Sequence, residues 1–236
     1  VFVEGTLVAE EGKYLPEIKK CDISSVKGSV IVKDFSKEKF KMNLKSNKVN
    51  VIKILPGGVV TAKDTAEIEL DANGEFVRNP EVDLVKVAVV ERHQGTGNVA
   101  CGFLKGYGIK EGAVALSVAH DSHNIIVVGV NDEEMEFAVN SLIEQEGGIV
   151  LVKEGKVIES MPMPIAGLMS DQSGEWVDQK LTDIHEKAYE ELGICGDVEP
   201  VMTLCFMSLA VIPEIKLTDM GLFDVTTFSF IPVEVE

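Results

Sequence analysis

Residues 113–130 read A-V-A-L-S-V-A-H-D-S-H-N-I-I-V-V-G-V. Two short apolar runs, 113–118 and 125–130, flank a polar segment that carries two histidines. Short apolar runs bounded by polar residues are typical of buried strands, whereas a helix requires a longer periodic segment. The stretch therefore predicts two buried strands joined by a polar loop.

Two helices are predicted downstream of this strand pair. Asn131 is a residue type that caps helices, Glu134 follows three positions later, and the helical pattern stops at Gly147 and Gly148. A second helix is predicted for residues 175–192, because its apolar side chains share one face. These side chains are Trp176 or Val177, then Leu181, Ile184, Ala188 and Leu192.

Further strands are predicted on both sides of these elements. Apolar, β-branched runs occupy residues 49–55, 67–70 and 82–90, with turn residues at 56–58 and 73–74. Residues 149–153 and 156–160 form a predicted hairpin around Glu154 and Gly155. Together the elements indicate an α+β fold, in which one or more mixed, largely antiparallel sheets pack with helices.

The N-terminal region has a different pattern. Residues 1–14 contain short β-type runs with turns at 4–5 and 11–12, which predicts a short N-terminal β-hairpin segment. Residues 15–48 mix Pro16, lysines and an apolar run at 26–32, which indicates a linker with an embedded strand. The chain begins at Val1, inside an apolar alternation, which indicates a piece of a longer chain. We expect a β segment and linker at 1–47 and an α+β domain at 48–236.

Composition and charge limit the partners. The 236 residues carry a formal net charge of −17, and a negative surface repels nucleic acid and anionic membranes. The longest charge-free stretch, 200–213, is shorter than the roughly 20 apolar residues that span a bilayer. Four cysteines without C-x-x-C spacing indicate neither a zinc site nor a disulfide framework, which favours a cytoplasmic location.

The candidate site residues cluster at predicted strand ends. The loop His120-Asp121-Ser122-His123-Asn124 joins two strands, and Arg92-His93 ends another. The loop either faces a ligand or caps its own backbone, and Arg92-His93 either lines a cleft or is a solvated strand end. His120 and His123 have only Asp121 as an obvious third ligand, which disfavours a metal site. The glycines between 95 and 108 lack the spacing of a nucleotide-binding loop.

Three segments carry the most distinctive residue patterns. Residues 89–132 begin V-V-E-R-H-Q-G-T-G-N, residues 162–171 read P-M-P-I-A-G-L-M-S-D, and residues 213–224 read P-E-I-K-L-T-D-M-G-L-F-D. All three resemble the C-terminal domain of the adenine deaminase family, a member of the amidohydrolase superfamily. The resemblance covers nearly the whole chain, and the opening hairpin is similar to the strands by which such enzymes leave their catalytic barrel.

The resemblance implies an enzyme that hydrolyses adenine to hypoxanthine and ammonia, with water activated by manganese or iron in a TIM-like barrel. The barrel's H-x-H metal motif is not found in this sequence, so the metal is expected in the intact enzyme and no cofactor is expected in this chain. Adenine and the amidohydrolase barrel are the implied partners, and residues 1–47 resemble a remnant of the barrel-associated β-sandwich. The implied pocket-facing residues are Arg92, His93, Ser117, His120, Asp121, Ser122, His123 and Asn124.

Three functional hypotheses follow. The first is a hydrolase component that closes or supports an active site and has little activity alone. The second is a non-catalytic binding or oligomerisation module, in which case the chain contributes to a homo-oligomer. The third is an autonomous metal-dependent hydrolase that uses His120, Asp121 and His123. The polar loop favours the first hypothesis over the second, since a structural module has no need for so many adjacent polar side chains.

Overall fold

The computed structural model describes residues 1–235, which form short strands and three helices. The helices are α1 (Asp132–Glu144), α2 (Gly174–Glu190) and α3 (Met202–Cys205), and 3-10 turns lie at Ser24–Val26 and Lys37–Phe40. The strands are β1 (Phe2–Val3), β2 (Thr6–Leu7), β3 (Ala9–Glu10), β4 (Lys13–Tyr14), β5 (Lys48–Ile54), β6 (Thr61–Glu67), β7 (Glu69–Leu70), β8 (Phe76–Val77), β9 (Leu84–Val90), β10 (Val99–Lys105), β11 (Ala113–Leu116), β12 (Ile125–Gly129), β13 (Gly148–Lys153), β14 (Lys156–Pro162), β15 (Ile215–Thr218), β16 (Gly221–Asp224) and β17 (Ser229–Phe230).

Eight of the strands form one mixed sheet in the order β14-β13-β11-β12-β9-β10-β5-β6. Neighbouring strands are antiparallel except β10 and β5, which are parallel. β9 lies in the interior of the sheet, and all seven of its residues are buried. From Val85 onward its apolar side chains alternate between two hydrophobic clusters, because successive residues of a strand point to opposite faces. A strand covered on both faces has a nearly continuous apolar sequence, which residues 84–90 show apart from Lys86.

Helices and a small sheet cover the two faces of the main sheet. α1 packs on one face, and Asn131 caps it by accepting a hydrogen bond from the Glu134 N–H at 2.8 Å. The other face is covered by α2, α3 and the three-stranded sheet β15-β16-β17. Each layer buries the apolar stripe of a helix or the apolar face of a strand, which is the arrangement that the sequence periodicity requires.

The predicted fold class is confirmed, and most predicted elements are present. The two buried strands around the polar loop are β11 and β12, and they pair antiparallel. Both predicted helices are found, and the hairpin at 149–160 is formed by β13 and β14. The N-terminal hairpin segment is also present, as the pairs β1-β2 and β3-β4.

Several details differ from the sequence predictions, which also include no strand over β6 or over β15, β16 and β17. Residues 26–32 form no strand: Ile31 donates one backbone hydrogen bond to the Arg92 carbonyl, and the neighbouring valines pack on the α1 side. The run at 67–70 crosses the break between β6 and β7, which lie in different sheets. Sequence analysis missed β10 because Gly102 interrupts its apolar pattern. A Cβ at this glycine would lie 3.5 Å from the Leu217 Cδ1 atom, an ordinary van der Waals contact, so β15 packs on the strand here.

The predicted linker packs against the core. Phe40 is fully buried in the cluster beneath α1, and Val30, Val32 and Phe35 contact the same cluster. The division of the chain between residues 47 and 48 stays a prediction. Across residues 1–235, no helix combines the length and the apolar character needed to cross a membrane.

Gly112 and Gly155 provide a matched test of how tightly the residue before β11 packs against β13. Both have positive φ, +67° and +65°, but a Cβ at Gly112 would lie 2.0 Å from the Val152 carbonyl oxygen, whereas a Cβ at Gly155 meets nothing within 4 Å. We expect Gly155→Ala to lower the free energy of unfolding by about 1 kcal/mol, the cost of a side chain at positive φ. Gly112→Ala should lower the free energy of unfolding by roughly 3 kcal/mol or more, because its Cβ also clashes with the Val152 carbonyl oxygen. Urea denaturation of both variants measures the difference, and equal losses would contradict the structure.

Candidate functional site

Several loops converge at one end of the main sheet. Val90 at the end of β9 pairs with Ile125 at the start of β12, and Leu116 at the end of β11 pairs with Ile149 in β13. The segments that follow or precede these strands therefore meet. We call this region, residues 91–98, 117–124 and 163–169, the polar end. All eight pocket-facing candidates lie in it.

Arg92 lies beneath the polar end and is 1% exposed. Its Nε donates to the His123 carbonyl at 2.5 Å, and its Nη2 donates to the Ala166 carbonyl at 3.2 Å. Gly167 lies against the guanidinium, where a Cβ would come within 2.8 Å of Nη1. Nη1 is buried and has no hydrogen-bond partner among the described residues. Burial lowers the pKa of Arg92, and the nearby Glu91 carboxylate opposes this shift. Arg92 therefore fixes the loops and does not reach solvent.

Ser117 is fully buried and joins two other segments. Its hydroxyl donates to the Gly167 carbonyl at 2.6 Å and accepts from the Gly148 N–H at 2.7 Å. The hydroxyl thus has a partner inside the protein both as a donor and as an acceptor. Ser117 holds the 163–169 turn against β13 and is not available to a ligand.

Asn124 is also buried, and its amide links three segments. Its Oδ1 accepts from the Arg92 backbone N–H at 3.3 Å, and its Nδ2 donates to Asp219 Oδ1 at 3.2 Å. Asp219 lies in the turn between β15 and β16, and its other oxygen accepts from the Asn98 amide at 3.3 Å. The C-terminal hairpin therefore reaches the polar end.

Glu91 organises the loop that follows β9. Its Oε1 accepts from the backbone N–H groups of His93 and Gln94 at 2.6 and 2.8 Å, and its Oε2 accepts from the backbone and hydroxyl of Thr96. Burial alone would raise the pKa of Glu91, but these hydrogen bonds outweigh burial and lower the pKa to about 2. The His93 ring is exposed, and its Nε2 lies 2.7 Å from the Ser122 carbonyl, which joins the two loops.

His120, Asp121 and His123 form the outer part of the polar end. The His120 ring lies 4.9 Å from the Phe206 ring and 5.3 Å from the His123 ring, measured between centroids. His123 Nδ1 is buried and has no partner in residues 1–235, and burial, followed by the charges of His120 and Arg92, lowers its pKa. Asp121 and Ser122 are exposed. His120 and Asp121 are thus the side chains best placed to meet a ligand.

The structure brings the predicted residues together but gives them different positions. Arg92, Ser117 and Asn124 lie inside and hold the loops, while His93, His120, Asp121, Ser122 and His123 lie nearer the surface. Sequence reasoning missed Glu91, Asp219 and Phe206 as members of the site. A signal existed for Asp219, because it lies in the 213–224 segment that carries the resemblance, but nothing in the sequence pointed to Phe206.

The implied divalent metal has no matching set of ligands here. Within residues 1–235, no three His, Cys, Asp or Glu side chains are close enough to bind one ion. Structural and catalytic metal sites require at least three protein ligands in most cases. The geometry gives no support to a metal site at His120, Asp121 and His123.

A cavity of about 400 Å³ lies at the opposite end of the sheet. It is lined by four basic and four acidic side chains, so it has no excess charge. Lys86 in its wall is buried and donates to Asp132 at 2.8 Å, and Lys37 donates to Glu133 at 2.8 Å. These groups neutralise one another, and the polar end remains the better candidate site.

Comparison with known proteins identifies similar chains. The family model described as adenine deaminase C-terminal domain matches residues 58–229. The chain is 67% identical over 234 residues to adenine deaminase 2 of Desulfotalea psychrophila, covering 99% of this chain and 41% of that protein. It is 46% identical over 235 residues to adenine deaminase of Ligilactobacillus salivarius, covering 100% of this chain and 41% of that protein. The chain therefore spans about two fifths of the length of these curated relatives.

The anchoring role of Glu91 predicts a specific pH dependence. Its folded-state pKa of about 2 lies below the ordinary 4.5, so its stabilisation is complete above the ordinary value and is lost as pH falls towards 2. Glu91→Gln replaces one acceptor oxygen by an NH2 group and should lower the free energy of unfolding by about 2–3 kcal/mol at neutral pH. Urea denaturation at several pH values should show this difference shrinking on acidification. A difference that is independent of pH would contradict the role of the carboxylate.

Proposed function

The chain belongs to the family of adenine deaminase C-terminal domains, and from this premise we propose that it is the C-terminal portion of an adenine deaminase. The complete reaction is the hydrolysis of adenine to hypoxanthine and ammonia. In this proposal a separate N-terminal portion, an amidohydrolase barrel, binds manganese or iron and carries the metal-dependent step. The present chain closes or supports the active site and has little activity alone.

The path of the linker is the observation that supports this assignment. The Val26 carbonyl accepts from the Ala166 N–H at 2.8 Å, and the Ile31 N–H donates to the Arg92 carbonyl at 2.8 Å. The segment that leads back to the N-terminal hairpins thus lies directly across the polar end. An N-terminal portion joined through these hairpins would be brought to this end of the sheet, next to His120 and Asp121.

The proposed role of the polar end follows from which side chains are free. Arg92, Ser117 and Asn124 hold the loops, so they act on a substrate only by placing other groups. His120 and Asp121 can orient a purine, pass a proton, or exclude water from a neighbouring site. We assign no metal ligand to this chain.

A second candidate function is an interaction module, and one surface favours it. Phe228 and Phe230 are 74% and 52% exposed, and both pack edge-to-face on Phe223 with centroid distances of 5.3 and 5.2 Å. Exposed aromatic clusters are common where another protein surface binds. An interaction module of this kind binds another protein surface and contributes nothing to the hydrolysis of adenine.

Ammonia release separates the two candidates. The chain, the N-terminal portion and their mixture are each assayed with adenine, with and without manganese or ferrous iron. We expect activity only when both portions are present. Full activity of the N-terminal portion alone would favour the interaction module, and activity of the present chain alone would overturn the proposal.

Histidine variants test the polar end directly. In the complete enzyme, His120→Asn and His123→Asn should each lower turnover by about 10-fold to 100-fold, the usual range for residues that orient catalytic groups. His185→Asn is the matched control, because His185 lies on α2 and its ring contacts Leu181 and Glu199. Steady-state kinetics of the three variants give the comparison. Unchanged turnover in both loop variants would contradict the proposed role.

A further inference from the structure

The turn between β15 and β16 reaches the polar end from a distant part of the chain. β15 and β16 pack on β10, and the Leu217 side chain lies over Gly102. This packing brings Asp219 to the edge of the 91–98 and 117–124 loops. Asp219 Oδ1 accepts from Asn124 Nδ2 at 3.2 Å, and Asp219 Oδ2 accepts from Asn98 Nδ2 at 3.3 Å. One carboxylate thus holds an amide from each loop.

The carboxylate is not needed to form its own turn. The Thr218 hydroxyl accepts from the Met220 N–H at 3.1 Å and lies 3.2 Å from the Gly221 carbonyl, to which it donates. In the part of the chain that the structure describes, both hydrogen bonds to the Asp219 carboxylate come from the two loop asparagines. The carboxylate therefore acts between the loops.

The orientation of the Asn124 amide makes its contact with residue 219 specific for a carboxylate. Its Oδ1 accepts from the Arg92 backbone N–H, so its NH2 group must face Asp219. A carboxylate offers two acceptor oxygens to two NH2 groups. An asparagine in place of Asp219 would offer one, and its own NH2 would face a second NH2 group without an acceptor.

We propose that Asp219 is a positioning residue of the intact enzyme, which sets the 117–124 loop relative to the 91–98 loop and thereby places His120. This inference rests on the proposed function, because it takes His120 to act at the active site. Asp219 acts through Asn124 and Asn98, and a small displacement of a loop that carries a reacting group is costly to catalysis.

The first experiment measures positioning in the present chain. NMR spectra record the side-chain NH2 signals of Asn98 and Asn124 in the wild type, in Asp219→Asn and in a control, Asp183→Asn. Asp183 lies on α2 and accepts a hydrogen bond from Gln179, away from the polar end. We expect both signals to shift and to exchange faster with solvent in Asp219→Asn only. Unchanged signals in this variant would overturn the role of Asp219.

The second experiment measures catalysis in the complete enzyme. Asp219→Asn should lower kcat/KM by about tenfold or more. In a His120→Asn background the same substitution should have an effect of about twofold or less, because positioning matters only while His120 is present. An unchanged kcat/KM in Asp219→Asn, or an equally large loss in both backgrounds, would overturn the positioning role.

The two possible failures are distinguishable. If His120→Asn and His123→Asn leave turnover unchanged, the proposed function of the polar end fails, and the catalytic part of the Asp219 inference fails with it. If those variants lower turnover but Asp219→Asn does not, the proposed function stands and only the inference about Asp219 is overturned.

Discussion

The buried guanidinium of Arg92 is the constraint on which the polar end depends. A charged group that leaves water must find hydrogen bonds inside the protein, or the folded state loses several kcal/mol. Arg92 donates to the carbonyls of His123 and Ala166, and its own backbone bonds to Asn124 and Ile31. These partners come from the polar loop, the 163–169 turn and the linker. One buried charge, whose Nε and Nη2 groups are hydrogen-bonded, thus fixes the relative positions of three segments that are distant in sequence.

Six of the eight strands of the main sheet and the two long helices could be predicted because they follow simple periods. β11 and β12 are continuous apolar runs, β9 is interrupted only by Lys86, and the N-caps of α1 and α2 are the residue types expected there. β10 was not predicted because Gly102 interrupts its apolar pattern, and its strand character depends on pairing with β9 and β5. In the apolar run at 26–32, Val30 and Val32 pack on the core without a strand partner, and the local sequence does not distinguish this outcome from a strand.

The sequence indicated that the candidate residues lie together, but not how they are organised. Polar residues at strand ends gather in one region, since the ends of neighbouring strands meet at one edge of a sheet. Whether a polar side chain faces outward or holds a loop depends on partners from other segments. Ser117 bonds to Gly167 and Gly148, and Asn124 bonds to Asp219, so both side chains are occupied. No local pattern around Ser117 or Asn124 contains that information.

The backbone of the polar end is strained at the two residues whose carbonyls anchor Arg92. His123 and Ala166 both have positive φ, 53° and 56°, and their carbonyls are the two that Arg92 binds. A side chain in this conformation costs about 1 kcal/mol, whereas glycine adopts it readily. The hydrogen bonds from the buried guanidinium offset this cost. Ala166 shares the conformation and carries only a methyl group, so what the two residues have in common is the carbonyl that each presents to Arg92. The strain therefore belongs to the way in which the guanidinium anchors the two loops, and it is independent of the ring that position 123 carries.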